Sequence, residues 1–305
     1  DYSNFQPAPW AKHRAEIKSI VIGSGITSIG EYAFAGSSAL TSVQIPAGVT
    51  QIEDYAFANC SALPAITLPI GVTEIEEGVF LNCSSLRSVT LPQGMQKVGD
   101  GAFANCTSLP SITLPLGLRE IEKGAFSGCT SLASVSFPAA GLTDIDEGAF
   151  YGCTALKAAT LPLGLREIDK NAFWGCTSLT NVSIPASVTE IKSGAFGGCT
   201  GLRSVTVGWT VPPMPRYPIF PSVPVANVQL NVPRGTESTY RSMPVWNEFL
   251  KIGTVANAEV DGRQIYTTDG VLYLTLPKPE LVRIFDVSGR LLQTFSAPAG
   301  SSTLR

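Results

Sequence analysis

The sequence predicts a repeat solenoid, a rod of short stacked coils, and three observations carry that reading. One phenylalanine recurs at fixed phase: Phe34, Phe57, Phe80, Phe103, Phe126, Phe150, Phe173 and Phe196, always 23 residues apart except for a step of 24 into Phe150. All seven cysteines (Cys60, Cys83, Cys106, Cys129, Cys153, Cys176 and Cys199) follow a Phe by three residues, with Ser37 holding the place in the first unit. Apolar residues then recur 3, 6, 8, 12, 15 and 20 positions past the cysteine, as Leu63, Ile66, Leu68, Val72, Ile75 and Phe80 do after Cys60. Such periodicity marks architectures in which no unit can bury its hydrophobic face alone and stacking supplies the core. About eight units of 23 residues are expected.

Residues 1–19 precede the first unit and are expected to form an N-terminal cap. Within a unit, the pair exemplified by Ile66 and Leu68 alternates with small polar residues, the period-2 pattern of a strand with one buried face. Proline follows (Pro46, Pro69, Pro92, Pro115, Pro138, Pro162, Pro185), a residue without an N–H and suited to ending a strand. Glycine two or three residues later, as at Gly48, Gly71 and Gly141, permits a sharp turn. A second short extended piece carries Val72 and Ile75. The Gly- or Tyr-Ala-Phe segment after it reads as a compact turn or short helical piece that points Phe inward. The extra residue of the long step falls in Pro138-Ala139-Ala140-Gly141, a turn, where an insertion leaves the core in place. Stacking at the strand spacing of ~4.8 Å gives a rod roughly 40 Å long.

This unit resembles the BspA-like (treponemal-type) leucine-rich repeat, whose pattern runs Ile-x-x-x-Ala-Phe-x-x-Cys-x-x-Leu-x-x-Val-x-Ile-Pro. Ile121, Ala125, Phe126, Cys129 and Leu132 match it, and the likeness covers residues 20–207. The fold expected is therefore a leucine-rich repeat solenoid, a β-strand ladder with short turns or helical pieces, capped at its ends. The resemblance further implies export to the cell surface or beyond in a host-associated bacterium, where some members act in adhesion or bind host proteins. Residues 208–255 resemble the segment that closes such arrays, with a strand-like run at Val228, Leu230 and Val232 and helical character from Thr236 to Leu250. After a polar stretch at Ala256–Asp261 come alternating runs, Val271–Leu276 and Val282–Val287, then Ser288-Gly289 as a hairpin turn into Leu291-Leu292. Residues 256–305 resemble the small β-sandwich of proteins that use type IX secretion, although the closing strands and basic tail of that family are missing after Arg305. A short β module packed against the cap is the other reading.

The totals bound the function classes. The chain is 44% hydrophobic and 15% charged, against a usual ~25% charged, which is too apolar for disorder. No stretch reaches the ~18 uninterrupted apolar residues of a membrane helix. A formal charge of −3 argues against nucleic acid as a partner. The one histidine, His13, lies outside the repeats, so no histidine ligand pair exists. The sequence starts at Asp1 without Met or signal peptide, so a removed or trimmed leader is expected.

Because the cysteines share one repeat position, they form a straight column. Neighbours in it are ~5 Å apart at Cα with parallel Cβ vectors, so a disulfide requires distortion, and a column cannot wrap a metal tetrahedrally. Buried, free and poorly reactive thiols are expected. Acids flank the second short strand (Glu74, Glu76, Glu77, Glu120, Glu122, Asp144, Asp146, Glu147, Glu167, Asp169, Glu190), interleaved with Lys97, Arg119, Lys123, Arg166, Lys170 and Lys192. That pattern reads as a solvated, mutually compensated face. Calcium needs six to eight converging oxygens, and glycoside hydrolysis needs two carboxylates across a cleft. The outward positions of the first strand are small or hydroxyl-bearing, which suits either a stability ladder or a docking strip without aromatic or Arg anchors.

One column departs from its own rule. The residue after Phe is small in most units but becomes Leu81, Tyr151 and Trp174, which makes these three the candidate binding residues. Side-by-side aromatics stack on sugars or anchor a protein, or else pack under the cap or the C-terminal module. The function expected is a non-enzymatic cell-surface or secreted scaffold for protein binding or adhesion, with a host matrix or surface protein as partner. The alternative is a carbohydrate-binding accessory protein that uses the aromatic patch. No nucleophile–base pair or phosphate loop is present in the repeats, so neither catalysis nor a cofactor or metal is expected.

Overall fold

In the computed structural model, residues 8–139 and 141–254 are described with their side chains. Beyond them, the backbone is described to Val255 and for the strands Gln264–Thr268, Val271–Leu276, Glu280–Phe285, Leu291–Ala297 and Gly300–Leu304. Each 23-residue unit is one coil with two parallel ladders. The longer strand holds three residues in most coils, as in Ala65–Thr67 and Ser111–Thr113, and the shorter holds two, as in Glu74–Ile75 and Glu120–Ile121. Register is in phase throughout: Ile66 faces Val89, Ile112 faces Val135 and Val182 faces Val205. The six shorter strands from Glu74–Ile75 to Glu190–Ile191 make one parallel sheet.

The third corner of each coil is a run of hydrogen-bonded turns, so the helical alternative for the Ala-Phe segment is not realised. A physical reason lies in the backbone angles two residues either side of each Phe. The preceding column (Tyr32, Tyr55, Gly78, Gly101, Gly124, Gly148, Asn171, Gly194) and the following one (Gly36, Asn59, Asn82, Asn105, Gly128, Gly152, Gly175, Gly198) all have positive φ. Left-handed residues at that spacing break any helix, and Gly and Asn tolerate them best. Of the glycines after the strand-ending prolines, Gly141 has φ +99, in the one turn with an extra residue; Ala140 lies outside the described residues. Gly117 is held instead by close approach, since a Cβ there would sit 2.9 Å from the Met95 carbonyl oxygen.

Buried corner amides find partners in the next coil: the Phe57 N–H donates to the Val79 oxygen at 3.0 Å and the Phe80 N–H to the Ala102 oxygen at 2.8 Å. Inside, the phenylalanines form a continuous stack with centroids 5.1–5.8 Å apart from Phe34 to Phe196. Trp10 lies at 5.5 Å on Phe34 and closes the N-terminal end, its Nε1–H donating to the Ala33 oxygen at 2.8 Å. At the other end Phe220 continues the stack 5.6 Å from Phe196. Burying a Phe side chain contributes ~1.5–3 kcal/mol, and each aromatic pair adds ~0.5–1.5 kcal/mol.

The segment after residue 207 therefore extends the array. Gln229–Pro233 and Lys251–Val255 join the longer-strand sheet in parallel, with Val205 facing Leu230 and Leu230 facing Ile252. Between them the helix covers only Glu237–Ser242, followed by a 3-10 turn at Trp246–Glu248. Helical character expected through Leu250 stops because Pro244 and Val245, the latter at φ +70, cannot continue it. Trp209, Phe220, Tyr240, Trp246 and Phe249 are buried together there, with the Tyr240 hydroxyl donating to the Trp209 oxygen at 2.7 Å. C-terminal to this, Gln264–Thr268, Val271–Leu276 and Gly300–Leu304 form one antiparallel sheet, and Glu280–Phe285 pairs antiparallel with Leu291–Ala297. The polar stretch at 256–261 and the Ser288-Gly289 turn lie outside the described residues.

Candidate functional site

The structure separates the three candidate residues. Tyr151 is 46% exposed, whereas Leu81 and Trp174 are half-buried. The Trp174 indole is laid over the next coil, away from Tyr151: a Cβ on Gly197 would lie 2.1 Å from its Cε3, and one on Gly194 would lie 3.1 Å from it. Glycine at those two places makes room for the ring. Among the described residues, no ring contact links Trp174 to Tyr151.

A stacked pair of exposed-flank aromatics occurs elsewhere. Tyr32 and Tyr55 lie at 5.0 Å and 4° between planes, and the Tyr55 hydroxyl donates to the Glu77 carboxylate. Sequence reasoning missed this pair. Its signal was tyrosine in place of glycine two residues before Phe in two successive units.

More than half of the chain's 24 acidic residues lie along the flank formed by the shorter strand and the turn after it. Lysines from neighbouring coils reach between them. Lys97 lies 3.5 Å from Glu122 and 3.8 Å from both Glu74 and Glu76; Lys192 lies 2.5 Å from Glu167 and 2.8 Å from Asp169. Hydrogen bonds to Asp169 and Glu167 push the Lys192 ammonium pKa up. Asp146 has the opposite surroundings: burial, then Asp169, Asp144, Glu122 and Asp100, push its carboxyl up to about 6.

The cysteines are buried free thiols, each donating to the carbonyl of a Phe in a preceding coil, at 3.1 Å for Cys129 to Phe103 and 3.3 Å for Cys83 to Phe57. Burial pushes the Cys60, Cys129 and Cys199 thiols up to about 12. Thiols so raised are inert near neutral pH.

Two features stand on the exterior of this rigid core. At the corner after each strand-ending proline, Ile70 is 81% exposed and Leu116 is 69% exposed, with Leu163 half-buried at the same repeat position. They recur in alternate coils, about 10 Å apart at the strand spacing, with Ala47, Gln93, Ala139 and Ala186 between and beyond them. The second feature is a groove of about 490 Å³ between the acidic flank of the last repeats and the segment after Trp209. Sequence reasoning missed both; their only signals were aliphatics at one turn position and the proline density of residues 210–218.

With that geometry established, comparison with known proteins places the array. A family model described as the BspA type leucine rich repeat region matches residues 11–130 and 96–217. The chain belongs to that family of leucine-rich repeat scaffolds. A leucine rich repeat protein of T. pallidum is similar at 27% identity over 60% of this chain and 77% of that one, with a TM-score of 0.44. A leucine-rich repeat protein of Bacteroides ovatus is similar at 25% identity over 79% and 84%, with a TM-score of 0.42. The pneumococcal vaccine antigen PcpA is similar at 18% identity over 79% and 69%, with a TM-score of 0.48. No curated protein sequence matches the chain.

Proposed function

We propose that the chain is a non-enzymatic scaffold, exported to the cell surface or released, that binds a protein partner of the host matrix or host surface. The observation that carries this reading is the exposed aliphatic row of Ile70 and Leu116 on a core that buries nearly every other large repeat aliphatic. Exposed apolar side chains in fixed array mark interaction surfaces, and here a stiff rod holds them at constant spacing. The hydroxyl-rich strand face, including Thr67, Ser88, Thr90, Ser111 and Thr113, supplies an uncharged polar neighbour to that row. Membership of the BspA-type family supports the surface location, and no helix among the described residues is long and apolar enough to cross a membrane. On this reading the array and its closing coils form the binding module, and the C-terminal antiparallel strands serve sorting or anchoring. Pull-down from a host matrix extract, mass-spectrometric identification and titration with the purified partner test it. A saturable protein partner is the expected result; turnover of a substrate by the rod would overturn the proposal.

A further inference from the structure

We infer that the groove beside residues 210–218 is a second binding site, for a neutral oligosaccharide, and it stands independently of the protein-docking row. The groove lies where the repeat fails. Residues 210–218 carry four prolines and replace the shorter strand of the coil that Phe220 closes. Their register is nonetheless fixed, because the Gly194 N–H donates to the Pro218 oxygen at 2.8 Å and the Phe196 N–H to the Ile219 oxygen at 3.0 Å. The Pro218 carbonyl thus takes the place that the Glu147, Lys170 and Ser193 carbonyls hold in earlier coils, with Arg216 and Tyr217 immediately before it.

The chemistry differs from the flank it continues. Met214 is 69% exposed and Tyr217 is 63% exposed, forming one wall above a floor of buried Ile191 and Ile219. Across from them, Lys192 is held by Glu167 and Asp169, and Lys170 lies 3.8 Å from Glu147. Among the described residues, Glu190 and Arg216 have no ion-pair partner. The groove thus offers one free carboxylate, one free guanidinium and an exposed ring, with its other charges matched.

A polycation or polyanion finds no net charge to answer it there. A pyranose does fit, since its C–H face packs on an aromatic ring while its edge hydroxyls donate to carboxylate and accept from guanidinium. The volume of about 490 Å³ lies within the ~300–1,000 Å³ of small-ligand sites.

The test is calorimetric titration of the full chain with maltotetraose, cellotetraose, xylotetraose and chitotetraose. At least one should bind, with affinity at least tenfold weaker in Tyr217→Ala and in Arg216→Ala, within threefold of wild type in Tyr217→Phe, and unchanged in Tyr151→Ala. Thermal unfolding should be the same in all four variants, because the substituted side chains are exposed or half-exposed. The inference is overturned if no tetrasaccharide binds at millimolar concentration or if Tyr217→Ala and Arg216→Ala bind as wild type does. Tighter binding of tetra-arginine or tetraglutamate at the same residues would also overturn it.

Discussion

Each cysteine presents its Sγ–H to a carbonyl oxygen in a neighbouring coil, in surroundings that disfavour the thiolate. Cys60 to Phe34 spans 3.4 Å and Cys153 to Phe126 spans 3.2 Å. With thiols pushed up to about 12, attack on a disulfide reagent requires the coil to open. All seven should therefore react with Ellman's reagent in guanidinium and hardly at all in the native protein; fast native labelling of any one would contradict the burial described. The column was legible because every cysteine shares one phase, but its hydrogen bond was not, since the acceptor lies 26 residues back in most coils. Asp146 carries a pH dependence. Its folded pKa, about 6, exceeds the ordinary 3.8, so the folded state binds the proton more tightly and stability falls as pH rises from about 4 to 6. Asp146→Asn should raise Tm by roughly 1–2 °C at pH 7.5 and leave it unchanged at pH 4, solvent screening keeping the effect small. A variant no more stable at pH 7.5 than wild type would show that neighbouring lysines compensate this carboxylate.

At the scale of the single coil, departures from the repeat are coupled in pairs. Trp174 stands where four other units hold Ala or Ser, and the next unit has Gly197 in that column. Because a Cβ at Gly197 would meet the indole at 2.1 Å, Gly197→Ala should cost about 1–3 kcal/mol. In a Trp174→Ala background the same change should cost under about 0.5 kcal/mol, giving a clear coupling in a double-mutant cycle by urea unfolding. Additive effects would mean the ring does not rest on that backbone. The sequence showed Trp174 as an exception and could not show its direction, because a χ angle decides whether the ring lies on Tyr151 or on the next coil. Strand, turn and Phe stack were legible for a simpler reason: period-2 alternation and the 23-residue step leave one buried face available. Phe220 was hidden by the prolines before it and by Val223 in place of the cysteine three residues on, so the array reads one Phe longer in the structure than in the sequence.

For the whole molecule, rigidity and display divide cleanly. The interior is nearly invariant from coil to coil, so stability is distributed along the rod as coil-to-coil interfaces, and exterior positions are free to vary without cost to the core. That is why the interior could be read by counting and the binding surface could not: the row of Ile70 and Leu116 interrupts no pattern that folding requires. Replacing both with Asp should leave thermal unfolding within about 2 °C of wild type, since their side chains are already in water. The most direct measurement of the proposed function is therefore a surface plasmon resonance titration of the matrix partner against wild type and Ile70→Asp/Leu116→Asp. The row as docking surface predicts at least tenfold weaker binding by an equally stable double variant; equal affinity of the two proteins for that partner would contradict it.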